Sequence, residues 1–342
     1  MPSSRRDSLF TLLSMLALVT VLFFFNRFGS EYQIRILNLV AIFISLAVSY
    51  NLVNGVTGQF SLAPNAFIAL GAYTAALLTM TPDEKRISFI IEPLIGPLNQ
   101  ISLPFPLALM AGGLVAAFFG LLIGFPVFRV KGDYLAIVTF GFGEVVRVVA
   151  NNLQSVTNGP LGLKGLTPYT SLWWSWGVAF LTVFFVARLV RGSYGRALKA
   201  VRQDELAAAT MGINVFWHKM LAFIISAFFG GLGGGLLAHL ITTISPTLFS
   251  FFLTFNLLIM IVVGGLGSTT GTVIAAALIT WGGEWLRWVE EPMNLGPWQV
   301  PGVPGMRMVL FSIILLVVIL FAREGLMGRR EFSWEKVLRR RP

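Results

Sequence analysis

Apolar residues run along this chain in blocks of about twenty, the length an α-helix needs to cross the hydrocarbon core of a bilayer. Short polar, glycine-rich or proline-rich stretches separate them. The pattern predicts ten spans: 8–26, 34–52, 60–80, 104–128, 133–152, 171–190, 216–240, 248–266, 269–288 and 307–322. Two connections, near 53–59 and 267–268, read as glycine-rich turns; two longer ones, 81–103 and 289–306, are rich in proline and glycine and too short to fold alone. The run Leu9–Phe25 follows Arg5 and Arg6 and ends without a small-residue cleavage site, so it reads as a retained span rather than a removed signal. The expected fold class is all-α, a polytopic integral membrane protein with one transmembrane domain over 1–342, a polar segment at 192–214 and a basic tail at 323–342.

Composition agrees. Of the 342 residues, 56% are hydrophobic and 12% charged, and the mean hydropathy is +0.80. A soluble domain carries about 25% charged residues, so much of this surface never meets water. The net charge of +10 does not point to nucleic acid, because most basic residues flank apolar runs. With the N-terminus placed inside, the inside segments hold 17 lysines and arginines and the outside segments 7. That bias predicts both termini in the cytoplasm and an even number of spans.

Several chemistries are absent from the sequence. There is no cysteine, the histidines His218 and His239 lie far apart, and no HExxH spacing occurs. Neither a metal nor a cofactor is expected. No Gly-x-x-x-x-Gly-Lys-Ser/Thr loop cradles a nucleotide, so the energy for any transport comes from a separate ATPase or from an ion gradient.

A few positions inside the spans stand out. Glu144 and Arg147 are three residues apart and share a helix face; they read as an internal ion pair or as polar lining of a translocation path, to which Asn151 would also belong. Gly112, Gly113, Gly120 and Gly124, and the cluster Gly230, Gly231, Gly233, Gly234 and Gly235, read as close helix packing, with a flexible, path-lining stretch as the alternative at 230–235. Pro64-Asn65 reads as a break early in the third span, since proline removes a backbone donor, and both residues join Glu144, Arg147 and Asn151 as candidates for the polar lining of the path. His239, near the outer end of its span, reads as interfacial packing.

The segment 192–214 is too polar to span and is helix-prone, with Gly195 and Gly212 bracketing a single helix. Leu198, Val201, Ala209 and Met211 offer apolar contacts; Arg196, Lys199, Arg202, Asp204 and Glu205 offer polar ones. Such a helix either rests on the bilayer surface, where its basic residues suit anionic lipid, or docks into a soluble partner.

Four stretches carry a resemblance. They are Asn54-Gly55-Val56-Thr57-Gly58-Gln59-Phe60-Ser61-Leu62; Gly132-Asp133-Tyr134 running through Gly143-Glu144 to Asn158-Gly159-Pro160; Gly195-Arg196-Ala197 leading to Glu205-Leu206-Ala207-Ala208-Ala209 and Gly212; and Gly264-Gly265-Leu266-Gly267-Ser268. In this order, over residues 34 to about 280, they resemble the LivM-type permeases of branched-chain amino-acid ABC importers. The chain departs from that pattern at Ala63-Pro64-Asn65, where the family usually has Gly-His, and at Thr272, where it often has proline. The resemblance implies an inner-membrane transport subunit rather than an enzyme, beside a second, LivH-like permease, two ABC ATPase subunits and an extracytoplasmic substrate-binding protein. It makes Gly195, Arg196, Leu198, Arg202, Asp204, Glu205, Ala208 and Gly212 the ATPase-coupling residues, and hydrophobic amino acids the expected substrate, with urea or short-chain amides as the second reading. An ion-coupled carrier using Glu144–Arg147 as a proton relay and a lipid-directed membrane enzyme are the competing classes; the polar helix disfavours the first and the lack of a clustered catalytic set the second.

The charge bias yields a direct test. Reporter fusions at residues 90, 165, 205 and 335 are expected to read outside, outside, inside and inside; a periplasmic signal at 205 contradicts the assignment.

Overall fold

The structure is a computed structural model that describes residues 5–89, 92–94, 96–129, 134–286, 293–295, 298–300, 306, 309–310, 312–313, 316, 320, 325–328 and 331. Most of the expected tenth span, 307–322, most of the basic tail and the Gly132-Asp133 pair lie outside the described residues. Helix α1 (Arg5–Phe28) leads through Gly29 and Ser30 into α2 (Glu31–Asn51). Ser30 starts α2 with a reciprocal cap: Gln33 N donates to its Oγ, and Gln33 Oε1 accepts from the Ser30 N–H. The chain does not turn at 53–59 as expected. It continues as a π-helical turn, Leu52–Val56, and α3 (Pro64–Thr79) begins only after a short irregular stretch.

Pro64 occupies the first turn of α3 and breaks nothing. A first-turn proline has no intrahelical hydrogen bond to lose, and its fixed φ suits the helix start. The 81–103 connection holds α4 (Pro82–Ser88) and α5 (Gly96–Gln100). Then follow α6 (Phe105–Val127), α7 (Tyr134–Asn152), α8 (Gln154–Thr157) and α9 (Leu172–Arg191). The polar segment forms α10 (Ser193–Gln203) and α11 (Glu205–Thr210), and α12 (Val215–Ile241), α13 (Phe251–Gly264) and α14 (Thr269–Trp285) follow. Two-residue strands β1 (Leu163–Lys164) and β2 (Thr243–Ile244) pair antiparallel, and the expected 289–306 loop holds a second hairpin, β3 (Met293–Leu295) with β4 (Trp298–Val300).

Among the described residues, five helical stretches are long and apolar enough to cross a membrane: Glu31–Val56, Phe105–Val127, Tyr134–Asn152, Leu172–Arg191 and Val215–Ile241. Helices α3, α13 and α14 have 16, 14 and 17 residues. At 1.5 Å per residue they span only about 21–26 Å, less than the ~30 Å hydrocarbon core. Short helices and irregular backbone are tolerated at that depth where protein covers them, and α3 buries most of its side chains.

The core is built on α12, which packs against α6 and α3, and on α2, which packs against α9, α14, α12 and α13. Bare backbones meet at the first of these contacts. A Cβ on Gly71 of α3 would sit 2.1 Å from Gly231 O of α12, and one on Gly112 of α6 would sit 2.8 Å from Gly71 O. The run 230–235 is thus continuous, buried helix that packs closely, as the first sequence reading held. Helices α2 and α9 run parallel, and two buried polar pairs one heptad apart join them: Ser175 Oγ donates to Asn38 Oδ1, and the Ser45 and Thr182 hydroxyls lie 2.8 Å apart. Such interhelical bonds hold helices together where lipid removes the hydrophobic drive.

One end of the bundle gathers the π-turn, the 265–268 turn, α10, α11 and tail residues 325–328 and 331. There Leu326 N donates to Val263 O, and the Glu331 carboxylate accepts from Thr269 N at 2.7 Å and from Thr270 Oγ1 at 2.9 Å. The opposite end carries α4, α5, α8, β1 and β2. Lys85 is fully buried there and donates to Leu98 O at 2.7 Å and Ile101 O at 2.5 Å. Burial pushes its ammonium below the ordinary lysine value. His239, near the end of α12, is fully buried within the protein, its Nε2 2.8 Å from Thr79 Oγ1 and its ring edge-on to Phe105.

The glycine contact sets a test. Gly71→Ala is expected to destabilise the detergent-purified protein by about 1–3 kcal/mol, because neither flanking backbone can yield cheaply. Gly177→Ala in α9, with nothing within 4 Å of the added carbon, is expected to shift stability by no more than about 0.5 kcal/mol. Equal thermal midpoints for the two variants would contradict the packing.

Candidate functional site

The residues singled out in 192–214 meet two of the other stretches at one end of the bundle. The segment forms two helices, not the single one expected between Gly195 and Gly212. Asp204 divides them: its backbone is extended (φ −157°, ψ 115°) and its Oδ1 accepts from Leu206 N at 2.8 Å and Ala207 N at 3.0 Å. An aspartate that satisfies the free N–H groups of a following helix ends the preceding one. Gly212, at φ +82°, reverses the chain after α11, and Asn214 caps α12.

Helix α10 is anchored by its buried side. Leu198 and Val201 are buried, and Gly195 lies so close to α9 that a Cβ would fall 2.2 Å from Val190 O. The Tyr194 hydroxyl donates to His218 O at 2.8 Å and its ring stacks on His218 at 4.7 Å. Burial pushes that hydroxyl above its ordinary value of 10.0, so it stays protonated as a donor. Arg196 faces outward.

Arg202 turns inward. Its guanidinium donates to Gly55 O in the π-turn, and its stem crosses Gly58, where a Cβ would fall 2.6 Å from Cγ. Gly58 has φ +74°, a conformation that glycine takes without strain. The same guanidinium borders the 265–268 turn, where a Cβ on Gly267 would fall 2.7 Å from Nη1. That turn is tied to α2 by Asn51, whose Nδ2 donates to Ser268 O at 3.1 Å and whose Oδ1 accepts from Gly267 N at 3.0 Å. A side chain on Gly55 would collide with this bridge, 1.9 Å from Asn51 Oδ1. Within 54–62, Asn54 closes the loop by exchanging two hydrogen bonds with Ser61, and Tyr50 Oη donates to Ser61 O at 2.7 Å. The asparagines, glycines and serines of these motifs therefore have structural work: they shape two turns that receive Arg202.

Helix α11 presents the outward surface. Leu206 is 76% exposed and Met211 83%, side chains that carry apolar area into solvent at an otherwise polar end. Glu205 pairs with Lys219 of α12. Ala208, expected to face a partner, is 4% exposed and packs into the molecule. A cleft of about 860 Å³ opens beside α11, lined by Gln59, Phe128, Arg129, Leu135, Leu206 and Lys219. Gln59 is buried, and neither atom of its amide finds a hydrogen-bond partner among the described residues. Met211 is an apolar contact that the sequence already offers, whereas the places of Gln59 and Lys219 depend on packing between distant segments and leave no signal in the sequence.

A second polar group lies where α3, α7 and α13 meet. Asn65 is buried; its N–H donates to Thr254 Oγ1 at 3.2 Å and its Nδ2 to Phe249 O at 3.2 Å. Its Oδ1 has no hydrogen-bond partner among the described residues and abuts α7 at Gly143, where a Cβ would fall 2.6 Å away. Next to it, Leu62 N donates to Thr139 Oγ1 of α7 at 2.9 Å. Pro64, a turn-mate of Asn65, starts α3 without facing α7. On α7, Arg147 Nε donates to Glu144 Oε2 at 2.7 Å, so the pair forms as the spacing predicted. It is not buried within the chain: the Arg147 and Glu144 side chains are 36% and 29% exposed. An ionised side chain at the bilayer centre costs about 2.5–3.5 kcal/mol on insertion scales, and pairing offsets part of that. Asn151 is exposed at the far end of α7, apart from this group.

Comparisons with known proteins bear on this arrangement. The profile of the family described as "Branched-chain amino acid transport system / permease component" matches residues 32–321, past residue 288 where the motifs run out. The chain is 32% identical over 314 residues to the high-affinity branched-chain amino acid transport system permease protein LivM of Salmonella typhimurium, covering 82% of this chain and 69% of that protein. It is 33% identical over 296 residues to the LivM protein of Escherichia coli, covering 77% of this chain and 65% of the relative. To the LivH permease protein of the same transport system in Salmonella typhimurium it is 22% identical, over 84% of this chain and 91% of that one. No solved structure matches.

Proposed function

Because this chain belongs to the family of permease components of branched-chain amino acid transport systems, we propose that it is the LivM-type permease subunit of an ABC importer, carrying branched-chain and other hydrophobic amino acids across the inner membrane. In this reading the chain is a multi-pass transport subunit and the ATP is hydrolysed elsewhere, by two ATPase subunits against the end that carries α10 and α11. A LivH-like permease lies beside it and an extracytoplasmic binding protein delivers substrate at the opposite end. Both termini are cytoplasmic.

The observation that carries the reading is the mounting of α11. Its exposed Leu206 and Met211 sit on a segment whose other side is locked, through Leu198, Val201 and Arg202, to the ends of α2 and α9 and to the turn before α14. A partner that grips the two apolar side chains and moves on binding ATP would carry those helix ends with it. A helix resting on lipid headgroups fits less well, because Arg202 is spent on Gly55 O within the chain. The buried positions Gly195, Leu198 and Ala208 then serve coupling from within, as the mount. Arg196, Glu205 and the α11 side chains face the partner.

The test uses the exposed side chains. Leu206→Glu combined with Met211→Glu is expected to leave membrane insertion and thermal stability near wild type, since surface changes shift stability by only about 0.5 kcal/mol. It is expected to abolish most co-purification of the ATPase subunits, because a charged side chain set into an apolar groove is rejected. Normal ATPase stoichiometry in this variant, with normal leucine uptake, would overturn the docking role.

A further inference from the structure

Among the described spans, charged side chains cluster at helix ends, where they reach water. Glu144 and Arg147 are the exception: they lie within about one turn of the middle of α7, Tyr134–Asn152. The exposed faces of α6 (Leu114, Phe118, Leu121) and α9 (Phe180, Leu181, Phe184) are apolar throughout and suit lipid. Helix α7 differs in a second respect. It buries only Thr139, Gly143 and Ala150, packs Phe142 and Val146 against the core at the edges of that side, and leaves the remainder of its circumference part or fully exposed.

On that remaining side, Ile137, Phe140, Glu144, Arg147 and Val148 follow one another at spacings of three and four residues or adjoin, so they share a stripe. Ile137 and Val148 are exposed, Phe140 is 39% exposed with its ring edge-on to Phe251 of α13, and the ion pair is part-exposed between them. Lipid cannot hydrogen-bond the free lone pairs and N–H groups of such a pair; protein or trapped water can. The relatives indicate which protein. LivH permeases align with this chain over 84% of its length and 91% of theirs, so a LivH-like partner shares its order of elements. Two subunits of shared architecture pair about a two-fold axis, with matching faces toward each other.

We propose that the α7 stripe from Ile137 to Val148 is the contact surface for that second permease subunit, with Glu144 and Arg147 set against protein at the joint. The proposal rests on the permease reading above. It gives the half-exposed pair its remaining partners and leaves the bare faces of α6 and α9 to lipid. It also places Asn65 and Gly143 one helix thickness from the joint, so that separation of the two subunits would bear first on the α3–α7 contact.

The test uses the whole complex, expressed with all its subunits. p-Benzoylphenylalanine is introduced singly at Ile137 and Val148, and as controls at Phe118 and Phe184; the purified membranes are irradiated and the adducts identified by mass spectrometry. The expected result is adducts to a permease chain of this family, distinct from this one, at 137 and 148, and only lipid at 118 and 184. Lipid alone at 137 and 148, or the permease captured at 118 or 184 instead, would overturn the proposal, and so would an adduct to a second copy of this chain. The subunit composition of the irradiated complex keeps the two readings apart. A complex that contains ATPases and a second permease but gives no α7 adduct refutes the interface alone. A preparation without any such subunits refutes the interface and the importer reading together.

Discussion

Gly71 of α3, Gly112 of α6 and Gly231 of α12 bring three helix backbones into direct contact, and the rest of the molecule is arranged around that contact. In lipid the hydrophobic effect gives helices no reason to associate, so close van der Waals approach and buried hydrogen bonds must do so. Glycine allows the approach, and the Asn38–Ser175 and Ser45–Thr182 pairs add the hydrogen bonds that bring α9 onto α2. The result is a block of α2, α6, α9 and α12 that encloses α3, a helix too short to cross a bilayer unaided.

Two features attach to this block, and their attachments differ. Helices α10 and α11 are held by buried side chains and by Arg202, whose guanidinium touches the ends of two elements at once. Helix α7 is held by one hydrogen bond from Leu62 to Thr139, by the packing of Gly143 on Asn65 and by ring contacts of Phe142 with Phe67 and of Phe140 with Phe251. It buries only Thr139, Gly143 and Ala150, whereas α2 is buried over most of its length. If α11 is where ATPases grip, force enters through a stiff mount, and the α7 contact, where Asn65 Oδ1 has no hydrogen-bond partner among the described residues, is the place where the block has least to lose by opening. Coupling of this kind needs two discrete arrangements of a packed element rather than a continuous strain, and a helix with so small a buried face is suited to that.

Much of this was legible in the sequence. Hydrophobic runs located helices at nine of the ten expected places to within a few residues, because the need to satisfy backbone polar groups in lipid favours the helix, although only five of the described stretches are long and apolar enough to cross. The Glu144–Arg147 pair followed from spacing alone. What failed to read were features decided by distant contacts. The π-turn after α2 exists because Asn51 and Gly55 meet Gly267 and Ser268, over two hundred residues away in sequence. Arg202 and Ala208 were read as outward-facing because charge and helix propensity say nothing about which side of α10 or α11 faces the bundle. Two misreadings were avoidable: Asp204 followed by Glu205 carries the signature of a helix N-cap, and Pro64 that of a first-turn residue. The enclosure of His239 by Thr79 and Phe105 likewise depends on distant contacts that its place in the sequence does not show.

Arg202 joins the α10–α11 segment to the core through Gly55 O; in the proposed importer it would transmit motion without itself gripping the ATPase. The direct test is the ratio of leucine imported to ATP hydrolysed by the whole complex in proteoliposomes, compared between wild type and Arg202→Met. Loss of the guanidinium contact to Gly55 O leaves Leu206 and Met211 in place, so the account predicts retained ATP hydrolysis with most of the leucine uptake per ATP lost. An unchanged ratio, or a parallel loss of ATPase binding and uptake, would contradict it.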